Sequence, residues 1–162
     1  MVPAMAPVPC SIVATLDAVG DRWTLLILRD LFRGVRRFEE IQRDLGIARN
    51  LLTERLQRLV EHGIVDRVPY QERPLRHEYR LTHKGADLSP SLVALMRWGD
   101  RWYAHDRPPT LLIHDSCGTP LNQVVTCPSC DEPVLPHHIR SRPGPGLRPE
   151  IALVGTRPTA PR

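Results

Sequence analysis

The residues best suited to chemistry in this 162-residue chain are its four cysteines and seven histidines. His114-x2-Cys117 is followed, nine residues later, by Cys127-Pro-Ser-Cys130. A two-residue gap lets two donors reach one ion from a tight turn, and two such pairs complete a tetrahedral set. His114, Cys117, Cys127 and Cys130 are therefore the candidate ligands of a structural zinc ion, with His137 and His138 as alternatives. Leu121 to Thr126 reads as a strand between the pairs, so the expected form is a small zinc-ribbon-like appendage. Too small to fold on its own core, it would draw stability from the metal. A redox dithiol at Cys127 and Cys130 is the alternative, although the βαβ surroundings of such motifs are absent. Unligated thiols are the third reading. A zinc deaminase needs His-x-Glu and Pro-Cys-x-x-Cys. Here Asp115 and Ser116 follow His114, and Thr126 precedes Cys127. No nucleophile elbow or carboxylate pair stands elsewhere, so an enzyme is not expected.

A second set of polar residues follows a helical period. Between Ala48 and His62, Leu52, Leu56, Leu59 and Val60 form one face. Asn50, Thr53, Glu54, Gln57 and Arg58 point broadly the other way. On a helix lying in a major groove, Asn50 pairs with adenine, Arg49 or Arg58 with guanine, and Glu54 with cytosine, while Thr53 takes a phosphate or a thymine methyl. The bland reading is a solvated face with a Glu54–Arg58 ion pair at i,i+4 spacing. Arg55 lies nearer the core side, as suited to an ion pair as to a phosphate. Arg36 and Arg37, ahead of the preceding helix, are candidates for holding backbone phosphates. Arg73 and Arg76 can reach phosphates or the minor groove from a hairpin tip.

The elements that would position these residues can be read in order. Ser11–Val19 is a short amphipathic helix ended by Gly20. Asp21 is placed to cap a second helix, Arg22 to Phe32, whose run Leu25-Leu26-Ile27-Leu28 marks it as central and buried. Phe38 to Leu45 and Ala48 to His62 form a helix pair across Gly46-Ile47, which is the helix-turn-helix spacing. Ile64–Tyr70 and His77–Leu81 read as strands around a polar turn, Gln71 to Arg76. A hairpin directly after the second helix makes the winged variant. After Thr82, Leu88, Leu92, Leu95, Met96, Trp98 and Trp102 line a last helix, with Pro90 either kinking it or opening a new one behind Ser89. Little chain remains to cover this stripe, so it reads as a homodimer interface.

Composition divides the chain into a winged helix-turn-helix domain over 10–105, the Cys/His-rich appendage over 106–138, and a Pro/Gly/Arg-rich tail over 139–162 that reads as disordered. No internal repeat is evident. Basic residues outnumber acidic ones by 22 to 18, and all the basic ones but Lys84 are arginines. That balance permits nucleic-acid binding without demonstrating it. No apolar run reaches the ~18 residues of a membrane span. Met1 to Pro9 lacks the basic start and long apolar stretch of a signal peptide, so a cytoplasmic protein with reduced thiols is expected.

Cys10-Ser-Ile, Asp21-Arg-Trp-Thr-Leu-Leu-Ile-Leu-Arg-Asp-Leu, Gly34-Val-Arg-Arg-Phe-Glu-Glu-Ile, Leu51-Leu-Thr-Glu-Arg-Leu and Glu78-Tyr-Arg-Leu-Thr-His-Lys-Gly occur in that order. Together they resemble the HxlR family of bacterial winged helix-turn-helix regulators, over roughly Cys10 to Trp102. The resemblance implies a homodimer on a palindromic operator, usually repressing and sometimes activating. It also implies an electrophile or oxidant sensor at Cys10, where several relatives carry one. Ser11 stands where the family usually has Pro, and Ala48 where it usually has Ser. The expectation is thus a mostly α, dimeric repressor with a small β-hairpin wing, double-stranded DNA as partner and zinc as cofactor. A thiol-based redox regulator using Cys10 or Cys127/Cys130 is the alternative. A protein-interaction module without specific DNA binding is the reading from another class. A small-molecule effector is a further candidate partner, sought in apolar space between the last helix and the core.

Overall fold

The computed structural model describes residues 10–105 and 107–146. The segment Met1 to Pro9 and the tail beyond 146, on which the leader and disorder readings rest, lie outside the described residues. The chain divides into two compact units, Thr15–Val124 and Met1–Ala14 with Val125–Arg162.

In chain order the elements are α1 (Ser11–Val19), α2 (Arg22–Phe32), α3 (Phe38–Leu45), α4 (Arg49–Glu61), β1 (Val65–Glu72), β2 (Leu75–Leu81), α5 (His83–Ala86) and α6 (Ser89–Trp102), followed by a 3-10 turn at Pro136–His138. The core of the larger unit forms where apolar faces meet. Ile27 and Leu28 of α2 are fully buried, as are Ile41 of α3, Leu52 and Leu59 of α4, and Val65 of β1, with Leu56 nearly so. Leu25 and Leu26 are only half-buried, so α2 is covered on one side rather than all round.

Local chemistry sets the element ends. Asp21 caps α2 by accepting from the N–H groups of Trp23 (3.0 Å) and Thr24 (3.1 Å) and from the Thr24 hydroxyl. Gly46 adopts φ 60° after α3, a left-handed conformation that a side chain would strain. It permits the tight turn that lays α4 across α2. Gly85 is buried and takes no side chain, because an added Cβ would fall 2.2 Å from the Ile64 carbonyl oxygen. Thr82 caps α5 at Gly85, and its hydroxyl donates to the Gly63 carbonyl at 2.8 Å.

Two sequence boundaries move. The hairpin is longer than expected. Gln71 pairs with Arg76 and Glu72 with Leu75, leaving Arg73 and Pro74 as the tip. Polar composition suggested a longer turn, but ladder hydrogen bonds do not depend on side-chain polarity. At the last helix Pro90 opens a new element instead of kinking an old one. Ser89 is its first residue, and Leu88 occupies the cap without a side-chain bond. Leu88 and Leu92 pack against the core, whereas Leu95, Trp98 and Trp102 are 53%, 55% and 58% exposed. Only part of the expected interface stripe is therefore free.

The appendage also differs. Leu121 to Thr126 form no strand, and the pairing among the described residues of the appendage is one isolated bridge in each Cys-containing loop, Ile113 with Pro120 and Thr126 with Pro133. A ribbon is not formed among the described residues.

The two loops are nonetheless the same structure. His114 N–H donates to the Thr119 carbonyl at 2.8 Å, and thirteen residues on, Cys127 N–H donates to Glu132 at 3.0 Å. Gly118 N–H reaches the His114 carbonyl and Asp131 N–H the Cys127 carbonyl, at 2.7 and 2.9 Å. Gly118 and Asp131 both have positive φ, 69° and 56°. The segments Ile113–Pro120 and Thr126–Pro133 are thus an internal repeat, hidden in the sequence because few residue types match.

Asp21 is expected to contribute to stability in a pH-dependent way. Burial pushes its carboxyl up, but the Thr24 hydroxyl and N–H and the Arg55 guanidinium together outweigh this and hold its pKa below the ordinary value. A depressed carboxylate stabilises the fold above the unfolded pKa of ~3.9, and the contribution fades as pH falls through the folded value. Denaturant melts of wild type and Asp21→Asn should differ most at about pH 7, and the difference should narrow as pH falls below ~3.9. A difference that persists unchanged in acid would contradict this role.

Candidate nucleic-acid interface

The α3–α4 pair and the hairpin enclose a groove of about 830 Å³. Five arginines line it, Arg37, Arg43, Arg49, Arg67 and Arg76, against two carboxylates, Glu39 and Glu40. Thr53, Gln57, Tyr70 and His77 complete its polar wall. This surplus of fixed positive charge in a concave surface attracts a polyanion.

Three of these arginines, Arg37, Arg49 and Arg67, are held by their neighbours. The Arg49 guanidinium lies 4.8 Å from the Phe38 ring centre and that of Arg37 4.7 Å from Tyr70. Stacking orients the planar fork while leaving its N–H edges available. Arg67 sits 3.1 Å from His77 Nδ1 across the hairpin. The loop before α3 is tied to β2, with Tyr79 N–H donating to the Arg36 carbonyl at 2.8 Å and Arg37 bridging to Glu78. Arg36 and Arg37 thereby join the wing as well as the helix pair. Burial pushes the Tyr79 hydroxyl pKa up, against the nearby Arg67 charge.

Helix α4 presents the expected polar face. Asn50, Thr53, Glu54, Gln57 and Arg58 are all exposed. Ala48 occupies its cap and makes no side-chain bond there. The Thr53 hydroxyl donates to the Arg49 carbonyl at 3.0 Å. Gln57 donates to Glu61 at 2.9 Å. The expected Glu54–Arg58 ion pair is replaced. Glu54 is held by its neighbour Arg55, and Arg58 donates instead to the Asp17 carbonyl at the end of α1. That carbonyl belongs to a helix terminus and lacks an intrahelical partner, so it competes well for the guanidinium.

Of the residues proposed for DNA, Arg37, Arg49, Thr53, Gln57 and Arg76 meet around the groove. Arg36, Asn50, Glu54, Arg58 and Arg73 lie outside its wall. Sequence reasoning missed Arg43, Arg67, Tyr70 and His77. Strand alternation from buried Val65 was the available signal for Arg67. The others depend on how the hairpin folds back toward α3.

The cysteines are all unpaired among the described residues, and Cys10 is exposed at the start of α1. In the first loop His114 Nδ1 and Cys117 Sγ are 3.3 Å apart. Two donors of one tetrahedral zinc ion are separated by ~3.5 Å, given bond lengths near 2.0 and 2.3 Å, so this pair matches the bite of the metal. The Thr119 hydroxyl and N–H lower the Cys117 thiol pKa, and the Ser129 and Cys130 N–H groups lower that of Cys127. Among the described residues no three His, Cys, Asp or Glu side chains gather into a metal-binding group. Beside α6 a hollow of about 1000 Å³ is lined by Arg97, Trp98, Arg101, Trp102, Leu111 and Pro120. It faces the appendage residues rather than the core, where effector space was expected. No described helix is long and apolar enough to cross a membrane.

Comparison with known proteins agrees with this geometry. The profile of the HxlR-like helix-turn-helix family matches residues 18–107. The HTH-type transcriptional regulator Rv3095 of Mycobacterium tuberculosis, itself named as uncharacterized, is 46% identical over 88% of this chain and 90% of its own length. The crystal structure of PA1607, a candidate transcription factor, superimposes with a TM-score of 0.75 at 39% identity, covering 82% of this chain and 94% of that one. The oxidised redox regulator HypR gives a TM-score of 0.53 at 32% identity, over 57% of this chain and 96% of its own. The matched region contains the α3–α4 pair, the hairpin and the arginine-lined groove between them, and the chain belongs to the HxlR-like helix-turn-helix family of DNA-binding transcriptional regulators.

Proposed function

We propose that this regulator acts as a homodimeric repressor on a palindromic operator. The observation that carries the DNA-docking mode is the five-arginine groove between α4 and the hairpin. Helix α4 enters the major groove with Asn50, Thr53 and Glu54 leading. Arg37, Arg49 and Arg76 hold the flanking phosphates, and Arg73 extends the contact from the tip. Repression follows when the bound dimer overlaps the polymerase site. Leu95, Trp98 and Trp102 on α6 supply the dimer contact, because exposed aromatic side chains at helical spacing are stabilised by a second copy. An effector that reaches the hollow beside α6 would act on that same face.

A second reading concerns the appendage. Each repeat offers one pair of zinc donors, His114 with Cys117 and Cys127 with Cys130. The 3.3 Å separation in the first repeat is one that a single ion could span, as a direct hydrogen bond does. A bound zinc ion would stabilise loops that have little core of their own. Similarity to the redox regulator HypR supports the alternative, in which exposed Cys10 or the Cys127/Cys130 pair is oxidised and DNA is released.

Three outcomes follow. Arg76→Ala should weaken binding to all duplexes and reduce the slope of log K against log salt by about one, whereas Asn50→Ala should cost ~1–3 kcal/mol at one base pair and relax specificity there. Unchanged affinity and specificity in both would refute the docking. Sedimentation of Trp98→Glu should give a folded monomer where wild type is a dimer. Purified protein should carry zinc at about one ion per chain, lost from both Cys117→Ser and Cys130→Ser. Metal-free protein whose thiols pair on mild oxidation, with loss of operator binding, would instead establish the redox switch.

A further inference from the structure

Arg55 is the one charged residue of α4 that faces inward as well as outward. Its side chain is 19% exposed, against 67% for Glu54 beside it. Its Nε donates to Asp21 Oδ1 at 3.1 Å, while its Nη1 donates to Glu54. One rigid fork thus joins the cap of α2 to a carboxylate on the DNA-facing side. One turn further along α4, Arg58 donates to the Asp17 carbonyl. The recognition helix is therefore fastened at two successive turns to the corner between α1 and α2.

A glutamate turned toward DNA meets two opposing effects. Phosphates repel it, and only a base amino group, such as cytosine N4, rewards it. An unheld Glu54 can swing among rotamers and contribute repulsion without discrimination. With one oxygen held by Arg55, the other keeps a defined direction. The guanidinium also offsets the carboxylate charge locally. Asp21 in turn is fixed by three bonds from Trp23 and Thr24, so the chain of contacts ends on a rigid anchor.

We propose that Arg55 is a specificity-positioning residue. Through its bridge to Asp21 it orients Glu54 toward one base pair of the half-site, and it makes no phosphate contact. This rests on the DNA-docking mode proposed above. It assigns the function of Arg55 to geometry, which a lysine cannot reproduce, because a single ammonium group lacks the planar fork.

The test begins with selection of a preferred site from a randomised duplex library by full-length wild-type protein. Affinities are then measured for that site and for its single-base-pair variants, over a range of salt, with Arg55→Lys, Arg55→Gln and Glu54→Gln. Both Arg55 variants should lose discrimination at the same base pair as Glu54→Gln, by roughly tenfold or more, while the salt slope stays as in wild type. A phosphate contact predicts the opposite pattern. Arg55→Gln would then flatten the slope by about one, Arg55→Lys would retain it, and discrimination would survive in both. Intact discrimination in the folded Arg55 variants overturns the proposal. Should Arg55→Gln fail to fold, Glu54→Gln and Arg55→Lys decide it: loss at different base pairs, or at none, also overturns it. If the wild type selects no preferred site, the docking mode itself fails, and that result is distinct from either pattern.

Discussion

The position of one helix on its neighbours governs everything this protein can do with DNA. Helix α4 has no side-chain cap, so its placement depends on contacts along its length. What holds it is the buried row Leu52, Leu56 and Leu59, together with the Asp21–Arg55 bridge and the Arg58 bond to the Asp17 carbonyl. The apolar row sets the rotation of the helix about its axis, because non-directional burial is strongest when that face is covered. The ion pair sets position along the axis, because a guanidinium fork has a preferred geometry. Displacing either would move Asn50 and Glu54 relative to the wing.

The groove follows from that placement. Its arginines come from α3, α4, both strands and the loop before α3, so no single segment carries the charge. Aromatic rings of Phe38 and Tyr70 keep two of the guanidinium planes ordered before any ligand arrives. Preorganisation of this kind lowers the entropy lost on binding. The bond from the Tyr79 N–H to the Arg36 carbonyl ties the loop before α3 to the hairpin.

The two Cys-containing loops obey a different economy. Each closes on its own backbone, with a left-handed residue directly after Cys117 or Cys130 and a proline in its single bridge. Such loops bury almost nothing; Cys117 and Cys130 are exposed and only Cys127 is partly covered. Their regularity therefore comes from turn hydrogen bonds and not from packing. That is the condition in which a metal ion contributes most to order.

Much of this was legible in the sequence. The helices α1 to α4, the Asp21 cap and the core leucines of α4 follow from periodicity and end signals, which are local and depend on neighbouring residues. The ordered motifs likewise disclosed the family. The tertiary structure alone decided which polar residues share a surface. Arg43, Arg67 and His77 joined the groove, Arg58 turned to α1, and Leu88 and Leu92 were taken into the core. It also showed that the two loops are one repeated structure. Hydrogen bonds and ion pairs between distant segments depend on where the backbone brings them, and sequence spacing does not encode that distance.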